Sequence, residues 1–255
     1  MKVYSLVNQK GGVSKSTTAA ELWAGLNARG YKCLAIDLDP QRNLSYHAGA
    51  RTDGKSSFGL LTREATAAEA IQHTKTGDFI AASQALAGAN KSIDETGKEY
   101  RLREALSPLG GLYDYIVIDT PPTLGILTVN ALTASDSLII PALADVYSLQ
   151  GIEELSHTIS AVKTYCNKDL LISGILLTKY NPRTLLSQSM GDTMQGLARK
   201  LGTRVFKTTI REGIAVREAQ LKQMSLRDYA PNAKVTQDYD AFVDELLTTE
   251  RGKAP

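Results

Sequence analysis

Val3-Tyr4-Ser5-Leu6-Val7-Asn8, then Gln9, then Lys10-Gly11-Gly12-Val13-Ser14-Lys15-Ser16-Thr17 is the stretch on which the reading of this chain turns. Its first half is a short apolar run that suits a buried strand; its second is a glycine-containing turn leading into a helical pattern over Lys15–Arg29. A strand, a glycine turn and a helix N-terminus, in that order, offer backbone N–H groups to an anion, and the helix dipole adds positive potential. Lys15 would then reach the β- and γ-phosphates of a nucleotide, and the Ser16 hydroxyl would ligate Mg²⁺. The general pattern G-x-x-x-x-G-K-[ST] is not met to the letter, because Ser14 stands in a glycine position. A serine is tolerable there if its φ stays negative.

Outward from this loop, short apolar runs alternate with helical patterns. Strands are expected at Val3–Asn8, Cys33–Leu38, Phe79–Ala82, Tyr115–Asp119, Ser137–Leu143, Leu171–Thr178 and Val205–Thr208. Runs such as Ile116-Val117-Ile118 and Leu138-Ile139-Ile140 are continuously apolar, as parallel strands buried on both faces require. Helices are expected at Lys15–Arg29, Leu124–Ala134, Leu149–Tyr165, Thr184–Leu201 and Thr236–Thr249. In the fourth, Leu186, Met190, Met194, Leu197 and Leu201 make one apolar face; in the last, Tyr239, Phe242, Val243, Leu246 and Leu247 do. The expected fold is α/β: a twisted, mostly parallel sheet with helices on both faces. Residues 50–62 and 87–99 read as polar, loop-like insertions. With no repeat and no linker in view, residues 1–255 are expected to form one domain.

Composition limits the alternatives. The chain has 255 residues, 43% hydrophobic and 22% charged, which is ordinary globular composition. No apolar run approaches the roughly 18 residues needed to cross a bilayer, and the N-terminus turns polar too soon for a secretory signal. Two cysteines cannot build a disulfide framework, so a reducing cytoplasm is expected. The net charge is only +2, yet Lys179–Lys234 holds 11 basic and 4 acidic residues. Such a basic third points to a polyanion partner or to a solvated surface.

Two further motifs follow the loop. Leu34-Ala35-Ile36-Asp37-Leu38-Asp39-Pro40-Gln41-Arg42-Asn43 ends a strand with two carboxylates on opposite faces of an extended chain, so Asp37 and Asp39 should do different jobs. Tyr113-Asp114-Tyr115-Ile116-Val117-Ile118-Asp119-Thr120-Pro121-Pro122 ends another strand with a single carboxylate before a stiff proline pair. Together with Lys10-Gly11-Gly12-x-x-Lys15-Ser16-Thr17, these resemble the deviant Walker A, first-switch and Walker B motifs of the ParA/MinD group of P-loop ATPases. The resemblance runs along nearly the whole chain.

The resemblance implies an ATP- and Mg²⁺-dependent ATPase of slow basal turnover, switching between monomer and ATP-bound sandwich homodimer. By it, Lys10 enters the partner subunit's site, Lys15 neutralises phosphate, and Asp39 acts on the attacking water. Ser16, Asp37 and Asp119 belong to the metal neighbourhood. The nucleotide is cradled by Lys10, Gly11, Gly12, Val13, Ser14, Lys15, Ser16 and Thr17, with Asn181 and Arg211 flanking the base. Asn181 before Pro182 reads equally well as a turn former. The C-terminal stretch Thr236–Glu250 is amphipathic but acidic, unlike the basic membrane helix of MinD-like relatives, so docking on the core is expected. Cys33 and Cys166 lie far from the second switch, against an iron–sulfur cluster, and His47, His73 and His157 form no ligand pattern.

The favoured functional expectation is a cytoplasmic, nucleoid-associated partition ATPase. It would bind nonspecific double-stranded DNA and be reset by a centromere-binding, ParB-type partner. The chain begins at its first strand, as in short partition ATPases lacking an N-terminal helix-turn-helix domain. Arg183, Lys200, Arg204, Arg217 and Lys222 are the DNA-contact candidates, although Ala215 stands where the family has a contact arginine. The alternative is a MinD-like or cargo-positioning ATPase that acts on proteins without touching DNA.

Overall fold

A computed structural model describes residues 1–251, apart from the side chains of Leu186, Glu250 and Arg251. Seven strands are present among them: β1 (Lys2–Leu6), β2 (Cys33–Asp37), β3 (Ile71–His73), β4 (Asp78–Ile80), β5 (Tyr115–Asp119), β6 (Ser137–Ala142) and β7 (Leu171–Leu177). They form one sheet in the order β3-β4-β2-β5-β1-β6-β7. Only the β3–β4 pair is antiparallel. The α/β expectation of a mostly parallel sheet therefore holds.

The continuous apolar runs work because alternate residues feed opposite faces. Tyr4, Leu6, Cys33, Ala35, Val117 and Ile139 enter the core beneath the helices Lys15–Ala28 and Lys234–Arg251. Their neighbours Leu34, Ile36, Ile116 and Ile118 enter the core under Ser57–Thr62 and Arg101–Leu106. Leu138 and Ile140 meet the helices Val146–Tyr165 and Leu185–Lys200. In the last helix Met194 and Leu197 are buried and Met190 and Leu201 half-buried, while the Leu186 side chain lies outside the described residues. The C-terminal helix docks as expected, burying Tyr239, Phe242, Val243, Leu246 and Leu247. Its approach to Lys15–Ala28 needs Gly25, where a Cβ would lie 2.9 Å from a Val243 methyl. Among the described residues no helix is long and apolar enough to cross a membrane.

Three local expectations are corrected. Val205–Thr208 is not a strand; only Val205 bridges Ile175, and Ile210 bridges Thr178. The reason is a competing acceptor: both oxygens of Glu245 take the backbone N–H groups of Lys207 and Thr208, at 2.9 and 2.8 Å. The two stretches read as loops contain short helices, Ser57–Thr62 and Ala89–Ser92. Ile214–Leu221, to which the sequence patterns assigned no element, is helical.

Glu21 sits in the core between the two helices of the first face. It is 6% exposed, and its carboxylate accepts the Leu226 N–H at 3.1 and 3.2 Å. Burial pushes its pKa up to about 8, against the lowering pull of that hydrogen bond. A carboxyl raised in the folded state contributes stability that is lost as pH rises through the folded value. Glu21→Gln keeps an acceptor for Leu226 and removes the ionisation. The variant should match the wild type near pH 5 and exceed it at pH 9 by roughly 4 kcal/mol, since each pKa unit is worth about 1.4 kcal/mol. Denaturant melts at the two pH values decide this; equal stabilities at pH 9 would contradict it. His47, which burial pulls down to about 4, acts in the opposite direction at acid pH.

Candidate functional site

β1 lies between β5 and β6, so the connections diverge at its C-terminal end, where open α/β sheets bind ligands. A cleft of about 680 Å³ opens there, a size that suits a small molecule. Gly11, Gly12, Ser14, Lys15, Ser16, Thr17, Asp39, Gln41, Pro122, Lys179, Arg211 and Arg217 are among its lining residues. Lys10, Val13, Asp37, Asp119 and Asn181 are not. The sequence-predicted loop is thus brought together at one wall, with Val13 buried behind it.

Lys15 opens the helix Lys15–Ala28 and is 7% exposed. Burial draws its ammonium below the ordinary value, while Asp119 and Asp39 pull the other way. Its hydrogen bond to the Lys10 carbonyl is long, at 3.4 Å. Ser14, immediately before, has φ 65°. The expectation of a negative φ is therefore corrected: the loop must turn left-handed to start the helix, at a cost of about 1–2 kcal/mol for a residue with a Cβ. That serine is strained.

The three carboxylates divide the work. Asp37 and Asp119 are register partners at the ends of β2 and β5, and both are wholly buried. Asp37 accepts from the Asp39 N–H at 2.9 Å and from the Ser45 N–H and hydroxyl at 2.8 and 2.7 Å. Burial raises it to about 6 despite those bonds. Both Asp37 oxygens are thus engaged by the turn that follows β2. Asp39 accepts from the Gln41 N–H at 2.9 Å and faces the cleft. Neither Asp119 oxygen makes a well-formed hydrogen bond among the described residues, and burial, together with Asp37, pushes it well above the carboxylate range against the lowering pull of the Ser16 hydroxyl and Lys15. A buried carboxylate with the Ser16 hydroxyl beside it fits Mg²⁺, an ion that keeps several waters and takes one or two carboxylates together with phosphate oxygens. Among the described residues no three His, Cys, Asp or Glu side chains gather as a metal cage.

Lys10 points away from its own cleft. Its ammonium pairs with Asp145 at 2.6 Å and lies 5.5 Å from the Tyr147 ring centre. Asp145 caps the helix Val146–Tyr165 through its other oxygen. Arg211 lines the cleft but is committed to Asp238, at 2.7 Å through Nε and 2.9 Å through Nη2. Asn181 is exposed and accepts the Arg183 N–H at 3.1 Å, so it forms the turn and does not reach the cleft wall. Asp238 and Gln220, whose amide donates to the Thr17 hydroxyl at 3.0 Å, were not signalled by any motif.

The five DNA candidates differ in exposure and are spread along the chain's basic third. Arg204 is half-buried, stacked on Phe206 and bonded to Thr249 at 2.7 Å. Arg183 and Lys200 stand at opposite ends of a helix of 16 residues, about 24 Å long. Arg183, Arg217 and Lys222 remain exposed, with Arg217 at the cleft mouth.

A parallel sheet whose central strand feeds a glycine turn into a helix, with carboxylates ending the neighbouring strands, is the architecture of a P-loop nucleotide hydrolase. A family profile described as an AAA domain matches residues 1–172. The chromosome partitioning protein ParA of Myxococcus xanthus is 34% identical over 259 residues, covering 100% of this chain and 90% of that protein. The sporulation initiation inhibitor protein Soj of Bacillus subtilis is 36% identical over 250 residues, covering 96% and 98%. A solved structure of cobyrinic acid a,c-diamide synthase from Mycobacterium smegmatis, with bound ATP analog and magnesium, has a TM-score of 0.86 at 31% identity and covers 100% of this chain and 97% of that one. The chain belongs to the ParA/MinD-type family of P-loop ATPases.

Proposed function

We propose that this protein is a partition-type ATPase that dimerises on ATP, binds DNA without sequence preference and is reset when a ParB-type partner stimulates hydrolysis. The observation that carries the reading is the division between its two loop lysines. Lys15 is buried in the protomer's own cleft, while Lys10, five residues earlier, lies outside it against Asp145. A cation so placed suits a site completed across a two-fold interface, where phosphate charge needs partners from both sides. Val146 and Tyr147, 55% and 73% exposed beside Lys10, supply apolar surface for such an interface. The ion pair of Lys10 with Asp145 in its own protomer must open first, and at about 1 kcal/mol or less it is easily exchanged.

Within the protomer, the loop N–H groups and Lys15 bind and orient the triphosphate, and Asp39 faces the place from which water would attack. Mg²⁺, when bound by Ser16 and Asp119, would supply charge neutralisation at the phosphates. Turnover is slow until the partner completes the site. The protein is cytoplasmic and associated with the nucleoid in this reading.

Retention on nonspecific duplex DNA tests it. Binding should be strong with ATP and weak with ADP, since dimerisation doubles the phosphate contacts. Each contact adds about −0.9 to the log–log salt slope, so binding should collapse at high salt. Arg183→Glu with Lys222→Glu should weaken it on every sequence while ATP binding stays intact. Equal retention with ATP, with ADP and in the double variant would leave the protein-positioning alternative as the better reading. One observation favours that alternative: Ile214 and Leu221, on the helix bearing Arg217, are 74% and 70% exposed and would suit a protein partner more than a phosphate backbone.

A further inference from the structure

Lys179, two residues beyond the end of β7, has φ 49°, a left-handed conformation that a residue with a side chain keeps only when its surroundings hold it there. Its ammonium donates to the Gly12 carbonyl at 3.0 Å. The preceding residue does the same one peptide further on: the Thr178 hydroxyl donates to the Val13 carbonyl at 3.1 Å. Two consecutive residues of one strand end thus grip two consecutive carbonyls of the phosphate loop. In a planar trans peptide the N–H points opposite to the C=O. Holding the Gly12 and Val13 carbonyls toward β7 therefore fixes the N–H groups of Val13 and Ser14 away from it. The same contact braces Ser14, the other strained residue of the loop.

We propose that Lys179 is a positioning residue for nucleotide binding: it tethers the phosphate loop in its anion-receiving conformation while its aliphatic stem forms part of the cleft wall. This rests on the nucleotide reading of the cleft. Thr178 is buried and bridged to Ile210 just beyond β7, so its grip is built into the fold. Lys179 is exposed and its contribution can be removed without disturbing the core. A tether of this kind lowers the ordering that the loop must undergo when an anion arrives, so its loss should appear in affinity before it appears in turnover.

The test titrates Mg–ATP and, separately, inorganic tripolyphosphate into the wild type, Lys179→Met and Lys179→Gly by calorimetry. Methionine keeps a stem and loses the donor; glycine loses both but relieves the left-handed backbone. Both variants should bind both ligands about 5- to 10-fold more weakly, with kcat at saturating ATP within about twofold of wild type. Lys179→Gly should unfold within a few degrees of wild type, so its weaker binding would not reflect a damaged fold. Lys179→Arg, which retains a donor, should recover most of the affinity. Unchanged affinity for both ligands in Lys179→Met would overturn the proposal. So would a loss confined to ATP, which would place Lys179 at the base and not at the loop. A wild type that binds neither ligand would instead overturn the nucleotide reading itself.

Discussion

Lys15→Ala is expected to lose Mg–ATP affinity by some thirty- to several-thousand-fold while the nucleotide-free protein stays folded. The ammonium is 7% exposed, and its pKa is lowered because burial outweighs Asp119 and Asp39. Its hydrogen bond to the Lys10 carbonyl is stretched to 3.4 Å. In the empty cleft this is a cation with too little company. A triphosphate supplies the missing negative charge, and charge-assisted hydrogen bonds to phosphate are the strong ones. Removing one member of a buried charge pair costs about 2–5 kcal/mol, or some thirty- to several-thousand-fold in affinity. The fold has less to lose. Alanine is the best helix former, and removing an under-satisfied buried cation offsets part of the lost packing. Asp119 loses a neighbouring cation, however, so a melting shift of a few degrees downward is expected. Calorimetry and thermal melts on the same sample separate the two effects. ATP affinity within threefold of wild type would remove Lys15 from the phosphate site.

The phosphate loop and the sheet centre were legible because they depend on local order. Lys10–Thr17 is a contiguous motif, and β2, β5 and β6 each carry a continuous apolar run, Cys33–Ile36, Ile116–Ile118 and Leu138–Ile140, because both faces are covered. Elements governed by distant partners were not legible. β3 has three residues, including Gln72 and exposed His73, and exists by pairing with β4 at the sheet edge. Val205–Thr208 has strand composition, but Glu245, from a helix much later in the chain, takes the N–H groups that a ladder would need. The same rule separates the site residues. Lys10 and Lys15 could be read from spacing, whereas Asp145 meets Lys10 across 135 positions and Lys179 meets Gly12 across 167. The sign of φ at Ser14 is also tertiary: the loop is gripped from β7, and the serine takes the conformation left to it.

Asp119→Asn should move stability and function in opposite directions. In the nucleotide-free protein Asp119 is fully buried, with no well-formed hydrogen bond on either oxygen among the described residues and with Asp37 directly across the β2–β5 pair. A buried carboxylate in that position is costly whether it stays ionised or takes up a proton, which is why burial and Asp37 raise it so far. Asparagine has nearly the same shape and no charge. It should stabilise the empty protein by about 1–3 kcal/mol at pH 8, the scale of an unsatisfied buried group. It should also remove most of the further stabilisation that Mg–ATP gives the wild type, because binding to the folded state alone raises stability by the logarithm of ligand over Kd. Turnover should fall about 10²–10³-fold, as when one preorganised electrostatic group is lost from a reacting centre. ATP without Mg²⁺ should bind the two proteins more nearly alike, since the charge deleted is the one set against the cation. Thermal melts with no ligand, with ATP and with Mg–ATP make the comparison in one experiment. An empty Asp119→Asn protein that melts lower than wild type, yet gains as much from Mg–ATP, would show that Asp119 braces the strand ends and takes no part in holding the metal nucleotide.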